Sequence, residues 1–200
     1  MFHEENQYKD KEVLFIAGPL FESSSYRYLL NNSSCSDMYQ SCCDILSVID
    51  DNLLSVDVKL SPCDQDNAYS FFDRIIQTNL YQKTGIIYGL SAEDIFKRYQ
   101  LIILDYLSSG LVTYLLTSKV EIILYLKNFD ILKISDKSKD DLLNRCHIAK
   151  NVSELDNLLS EYQAGNLKSK WNLDFINQYV YPVENGNPGE NIANYIKSIV

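Results

Sequence analysis

The run Asp105-Tyr106-Leu107-Ser108-Ser109-Gly110 sets a carboxylate at the end of an apolar segment and follows it with two hydroxyls and a glycine. Where such a run joins a strand to a helix, the first backbone N–H groups of the helix and the positive end of its dipole favour an anion, by roughly 0.3–1 kcal/mol per contact. The chemistry expected is the holding of a phosphate or diphosphate by Ser108, Ser109 and the N–H groups around Gly110, beside Asp105. The same residue types also serve a plain structural role, a serine cap behind a carboxylate that closes a strand. Lys59 ends another apolar stretch and can bring a point positive charge to the same phosphate; a solvated lysine is the alternative. Gly18 closes the first apolar run, and Ser23, Ser24 and Ser25 follow it with Arg27 in a hydroxyl-rich loop. These residues can rim a ligand site, although a flexible loop has the same composition.

Other chemistries find little support. His3 lies in a polar lead-in and His147 in an apolar context that suits a structural histidine. No GxSxG, HExxH, GxxxxGK or full GxGxxG run occurs, which removes most support for serine hydrolase, zinc protease, P-loop and dinucleotide-binding readings. The five cysteines form no CxxC pair and have no zinc-ligand spacing with histidine, so a reducing compartment is expected. Cys42 reads as a small core hydrophobe. Tyrosine reaches 15 residues, most of them at helical or strand spacing and therefore core or boundary positions.

The elements that must position the Asp105 run alternate along the chain. KEVLFIAGP is apolar on both faces, as in a strand covered on both sides. Ser36 or Asp37 can cap a helix running to about Asp51, in which Met38, Cys42, Ile45, Leu46 and Ile49 recur at helical spacing. LLSVDVKLSP alternates, with Val56, Val58 and Leu60 on one face, and reads as a strand nearer an edge. A helix is expected over Asn67–Asn79, a short strand in TGIIYGL, and a helix in SAEDIFKRYQ with a weak capping box from Ser91 to Asp94. Leu101–Asp105 and Glu121–Leu126 are buried strands around the turn and a short helix. Beyond them come a small helix (Ser138–Asn144), a short strand (His147–Ala149), a helix capped by Ser153 through Tyr162, and a closing helix that uses Ile192, Tyr195, Ile196 and Ile199. Regular alternation with short connections predicts right-handed crossovers and an α/β, Rossmann-like doubly wound parallel sheet of about five or six strands with helices on both faces. Residues 1–10 are expected to be a flexible tail and 11–200 one domain, with 165–200 a helical extension.

Composition sets outer bounds. The chain has 200 residues, enough for one substantial core, and 18 Lys plus Arg against 27 Asp plus Glu give a net charge of -9. That balance argues against nucleic-acid or anionic-membrane binding by the whole surface. No apolar run approaches the ~20 residues of a membrane-spanning helix, and the polar, acidic N-terminus is unlike a signal peptide.

LIILDYLSSGLVTYLLTSKVEIILYL resembles the signature in the C-terminal half of GT-B-type transferases of bacterial surface-carbohydrate biosynthesis, and the D-Y-S-S segment of CDP-glycerol glycerophosphotransferases. KEVLFIAGP is similar to their first strand, VDVKLSPCD to their basic-L-x-P segment, and SAEDIFKRYQ to the helix before the D-Y strand. The similarity covers most of residues 11–165, and its specific part is D-Y-L-S-S-G. It implies a Rossmann-like domain whose Ser108, Ser109 and Gly110 hold the phosphates of a nucleotide-activated sugar or polyol phosphate. No metal or cofactor is implied, and a separate N-terminal domain would grip the acceptor. Thr113 stands where the family helix carries a carboxylate toward donor hydroxyls, Val120 where a proline precedes the next strand, and Ser61 where a histidine is common. The resemblance thus implies donor binding in surface polysaccharide biosynthesis, in the cytoplasm or peripherally at the inner membrane face. The departures leave open a diverged, non-catalytic interaction or regulatory module. A flavodoxin-like binding domain fits the first loop but not the D-Y strand.

Overall fold

The computed structural model describes residues 12–18, 35–60, 81, 83–87, 89–90, 95–107 and 120–170. Six short parallel strands form one sheet: β1 (Val13–Ile16), β2 (Val56–Lys59), β3 (Thr84–Ile87), β4 (Leu101–Leu104), β5 (Glu121–Tyr125) and β6 (His147–Ala149), in the order β3-β2-β1-β4-β5-β6. This is the Rossmann-like doubly wound arrangement read from the alternation, with helices on both faces. β2 lies one strand in from the β3 edge. Every residue of β1, β2 and β4 is buried, which is why β1 and β4 read as continuous apolar runs, whereas β2 alternates and buries Asp57 and Lys59 as well.

One face packs under helix α1 (Cys35–Asp51) and helix α3 (Val152–Gln163). Met38, Cys42, Ile45, Leu46 and Ile49 of α1 and Leu155 and Leu159 of α3 meet Val13, Phe15, Val56, Val58, Leu101, Ile103 and Ile123. Each fully buried aliphatic contributes about 1.5–3 kcal/mol, so this stripe holds α1 in place. Asn52 ties the two helices together: its Nδ2 donates to Asp156 Oδ1 at 2.8 Å, and Ser160 Oγ donates to its Oδ1 at 3.0 Å. The opposite face packs Leu14, Ile102, Leu104, Ile122 and Leu124 against Phe96 and Tyr99, Phe129, and Leu142 of helix α2 (Asp136–Arg145).

Helix boundaries depart from the sequence reading for local reasons. α2 starts earlier than Ser138 because Ser135 Oγ accepts from Ser138 N at 3.1 Å. α3 is capped by Asn151, not Ser153: Asn151 Oδ1 accepts from Glu154 N at 2.9 Å, and Glu154 returns the interaction to Asn151 Nδ2 and Lys150 N. This resembles a capping box, with asparagine in the first place and the glutamate reaching the N–H one residue before the cap. Of the SAEDIFKRYQ helix, Phe96–Arg98 forms a 3-10 turn. α1 ends through Leu53, whose φ of 56° and 69% exposure mark an exposed left-handed cap. The expected helix over 67–79, the tail 1–10 and the closing helix in 171–200 lie outside the described residues.

Candidate functional site

The chain runs outward from β1 to β2 and β3, then crosses back to place β4 on the other side of β1, so the strand order reverses between β1 and β4. In open α/β sheets the carboxyl ends of two such strands border the crevice that takes ligands. In the register of the sheet Ile16 lies opposite Lys59 on one side and Leu104 on the other. Gly18, Lys59 and Asp105 therefore all stand at this carboxyl edge.

Asp105 joins the two walls of the crevice. It is buried, and its Oδ1 accepts a hydrogen bond from Gly18 N at 2.7 Å across 87 residues of sequence. Cys42 Sγ, on α1, lies 3.6 Å from Oδ2 and donates to it. A bond from a backbone N–H to a charged acceptor is worth about 1.5–3 kcal/mol, so Asp105 fixes how both strands exit. Gly18 sits at a close approach: a Cβ there would displace the flexible end of Met38 and come within 3.0 Å of Asp105 Oδ1 and Tyr106 Cδ1.

Lys59 shares the face of Ile16 and Leu104, whereas Asp105 turns to the α1 face. Its side chain is buried, its ammonium donates to Leu60 O at 3.1 Å, and no second partner of it occurs among the described residues. Burial holds its pKa below the ordinary lysine value. The solvated alternative for this residue is thereby removed. Ser108, Ser109, Gly110, Thr113, Ser23, Ser24 and Ser25 lie outside the described residues.

Beside Asp105, a cavity of about 290 Å³ opens between the first two turns of α1 and the ends of β4 and β5. Its polar lining is Asp37, Ser41, Asp105, Lys127 and Asn128, above the apolar Met38, Leu126 and Leu132. Behind it Asp44 gathers three donors: Lys127 Nζ at 2.7 Å, Tyr125 OH at 2.8 Å and Gln40 Nε2 at 2.8 Å. Burial pushes the Asp44 carboxyl up, but these donors outweigh it and hold the pKa below the ordinary value. Burial, and then the bond to Asp44, raise that of Tyr125. The network pins α1 to the carboxyl end of β5 and fixes where Lys127 stands.

Sequence reasoning missed this set. Its signal was faint: Asp37, Ser41 and Asp44 recur at helical spacing beside the apolar stripe, and Lys127 and Asn128 directly follow a buried strand. A wider groove at the opposite, amino edge of the sheet, lined by Glu12, Gln100, Glu121 and Tyr162 among others, lies away from the crevice. His147 Nε2 stands 3.4 Å from Glu121 Oε2 at that edge, an ion-pair position suited to a structural histidine. Among the described residues no cluster of His, Cys, Asp and Glu could hold a metal ion, and no helix is long and apolar enough to cross a membrane.

No protein-family model matches the chain, and no curated protein matches it in sequence. Among solved structures it is similar to the Methanocaldococcus jannaschii UDP-GlcNAc 2-epimerase in complex with UDP-GlcNAc and UDP, with a TM-score of 0.59 and 16% identity. The likeness covers 96% of this chain and 47% of the epimerase, so the chain spans about half of that enzyme's length. At this identity the likeness is one of fold, a six-stranded Rossmann-like domain.

Proposed function

We propose that this chain is a nucleotide-sugar-binding domain of a GT-B-like glycosyltransferase or glycerophosphotransferase of surface polysaccharide biosynthesis. Its donor is a nucleotide-activated sugar or polyol phosphate. A separate domain or polypeptide supplies the acceptor site, and the reaction runs at the cytoplasmic side of the membrane. The observation that carries the reading is Asp105 at the point of strand reversal, bonded to Gly18 N, directly before the Ser108-Ser109-Gly110 run. That bond ties the ends of β1 and β4 together at the edge where such sheets take ligands, and the 108–110 run is of the type that receives a donor's phosphates. Lys59 adds to it, a buried ammonium at the same edge. The epimerase of similar fold was solved with UDP-GlcNAc and UDP, which makes a uridine nucleotide the first ligand to try. Calorimetric titration of the protein with UDP-, CDP- and GDP-linked donors tests the reading. Saturable binding of one class, weakened by Ser109→Asp, is expected, and silence from all of them at millimolar concentration would sink it.

A second reading, a non-catalytic interaction or regulatory module that keeps the fold, is favoured by one observation. The Asp105 carboxylate already serves Gly18 N and Cys42, a role that needs no ligand. Thr113, Val120 and Ser61, where the resemblance fails, agree with it. Under this reading Ser109→Asp leaves the biological phenotype intact; a lost phenotype at unchanged thermal stability rejects it.

A further inference from the structure

The groove at the amino edge of the sheet, about 630 Å³ in volume, is larger than the cavity beside Asp105 and takes no part in the donor-site reading. α1 and α3 both end against it: Leu53 and Leu54 follow α1, and Tyr162 and Leu167 lie at and just beyond the end of α3. Leu53 is 69% exposed, the most exposed large hydrophobic side chain among the described residues. A lone exposed leucine is ordinary, but this one shares a concave surface with Leu54, Tyr162 and Leu167. The charges there are of one sign. None of the described lining residues is basic, and Glu12 has no ion pair among the described residues. The last turns of α1 and α3 carry Asp50, Asp51 and Glu161 and no basic residue, although a carboxylate there opposes the negative end of a helix dipole. These three also have no ion pair among the described residues. Sequences break such local rules at sites of function. Lys83 and Lys170, at the same edge, are engaged by backbone carbonyls of Leu53, Leu143 and Cys146. Glu121 accepts from Lys170 N and pairs with His147, so its charge is answered within the fold. Burial, and then the Glu12 charge, raise the pKa of Tyr162. Its ring therefore stays neutral near a free carboxylate, a combination that suits a guanidinium or ammonium.

We propose that this groove docks a basic, amphipathic segment of a partner protein, with an arginine or lysine at Glu12 and aliphatic side chains against Leu53 and Leu167. Charge complementarity selects the occupant: a groove flanked by unpaired carboxylates repels nucleic acid, an anionic membrane and a second copy of a chain whose net charge is -9. The groove lies at the edge opposite the donor site, so the proposal stands or falls apart from the nucleotide-sugar reading. Amide NMR spectra of the ¹⁵N-labelled full chain are recorded with a peptide alternating leucine and arginine, with its leucine–glutamate and serine–arginine counterparts, and with spermidine. The leucine–arginine peptide is expected to shift the 53–54 and 162–167 amides ahead of the 127–130 amides at the carboxyl edge, and less strongly as salt rises. Glu12→Gln and Leu53→Ser, both at exposed positions, should each weaken this binding about three- to tenfold with an unchanged Tm and leave titrations with UDP-linked donors as in the wild type. The proposal is overturned if the groove amides do not respond, or if the leucine–glutamate peptide moves them equally. It is overturned too if the serine–arginine peptide or spermidine suffices, which makes the groove a site for small cations, or if protein concentration alone moves them, which assigns it to a second copy. Wild-type binding by either variant overturns it as well.

Discussion

Removing the Asp105 carboxylate tests the claim that this residue holds the crevice together. In Asp105→Ala the buried Gly18 N–H loses a charged acceptor at 2.7 Å and Cys42 loses its own at 3.6 Å. A bond to a charged group contributes about 1.5–3 kcal/mol, and an orphaned buried N–H adds to the loss, so a total of about 2–4 kcal/mol is expected. Asp105→Asn keeps an oxygen for Gly18 N–H but turns an amide toward the thiol, a poor acceptor, and should cost about 1 kcal/mol. With a urea m-value of about 2 kcal/mol/M, the alanine variant should unfold at a midpoint about 1–2 M lower and the asparagine variant about 0.5 M lower. Unfolding followed by tryptophan fluorescence and by far-UV circular dichroism in parallel checks that one transition is measured. Wild-type midpoints for both variants would refute the account. Equal, large losses in both would show that charge in the crevice, and not the hydrogen bond to Gly18, carries the effect.

Three further outcomes are expected. Lys59→Met replaces a buried ammonium with an apolar chain of similar length and should raise stability by about 1–2 kcal/mol while weakening nucleotide diphosphate binding. Because burial lowers the folded pKa of Lys59, the unfolded chain holds that proton more tightly. Wild-type stability should therefore climb as pH rises toward the ordinary value of 10.5, and the contribution should vanish in Lys59→Met when unfolding is followed across alkaline pH. Leu53→Gly relieves a left-handed backbone at an exposed cap and should stabilise the fold by about 0.5–1 kcal/mol in urea. Burial pushes the Glu121 carboxyl up, but bonds from His147, Ser169 and Lys170 N outweigh it and leave the pKa below 4.5. Its folded pKa being depressed, its contribution is full above 4.5 and is lost as pH falls through the folded value. Glu121→Gln should flatten that part of the acid-unfolding curve.

The architecture was legible because the strongest signals in the chain are local. β1, β4 and β5 are apolar on both faces, β2 alternates, and α1 repeats its stripe from Met38 to Ile49, so type and order followed from period alone. Caps were harder to read: Ser153 looks like a better start than Asn151 until Glu154 is seen to bond back to both Asn151 and Lys150. The site was legible only along the chain. Asp105 stood out as a strand-ending carboxylate, but its partner Gly18 is 87 residues away, and no spacing rule joins them. Nor could the sequence join Asp44 to Tyr125 and Lys127, because that contact depends on α1 lying over β5. Lys59 illustrates the converse. An alternating strand suggested a solvent-facing charge, whereas the parallel sheet has both its faces covered and buries it.

The reversal of strand order between β1 and β4 also bears on how the domain folds. β1 sits near the middle of the sheet, yet one of its two neighbours is made of residues 101–104. As the chain leaves the ribosome, β1 can pair with β2 early but must wait for more than half of the sequence before its other edge is covered. Such long-range parallel pairing closes large loops and is intrinsically slow. During that wait Val13–Ile16 is an apolar strand with an open edge, the kind of surface that recruits other strands and promotes aggregation. The Gly18–Asp105 bond can form only when the wait ends, so a perturbation of it should lower the yield of soluble protein during synthesis as well as equilibrium stability.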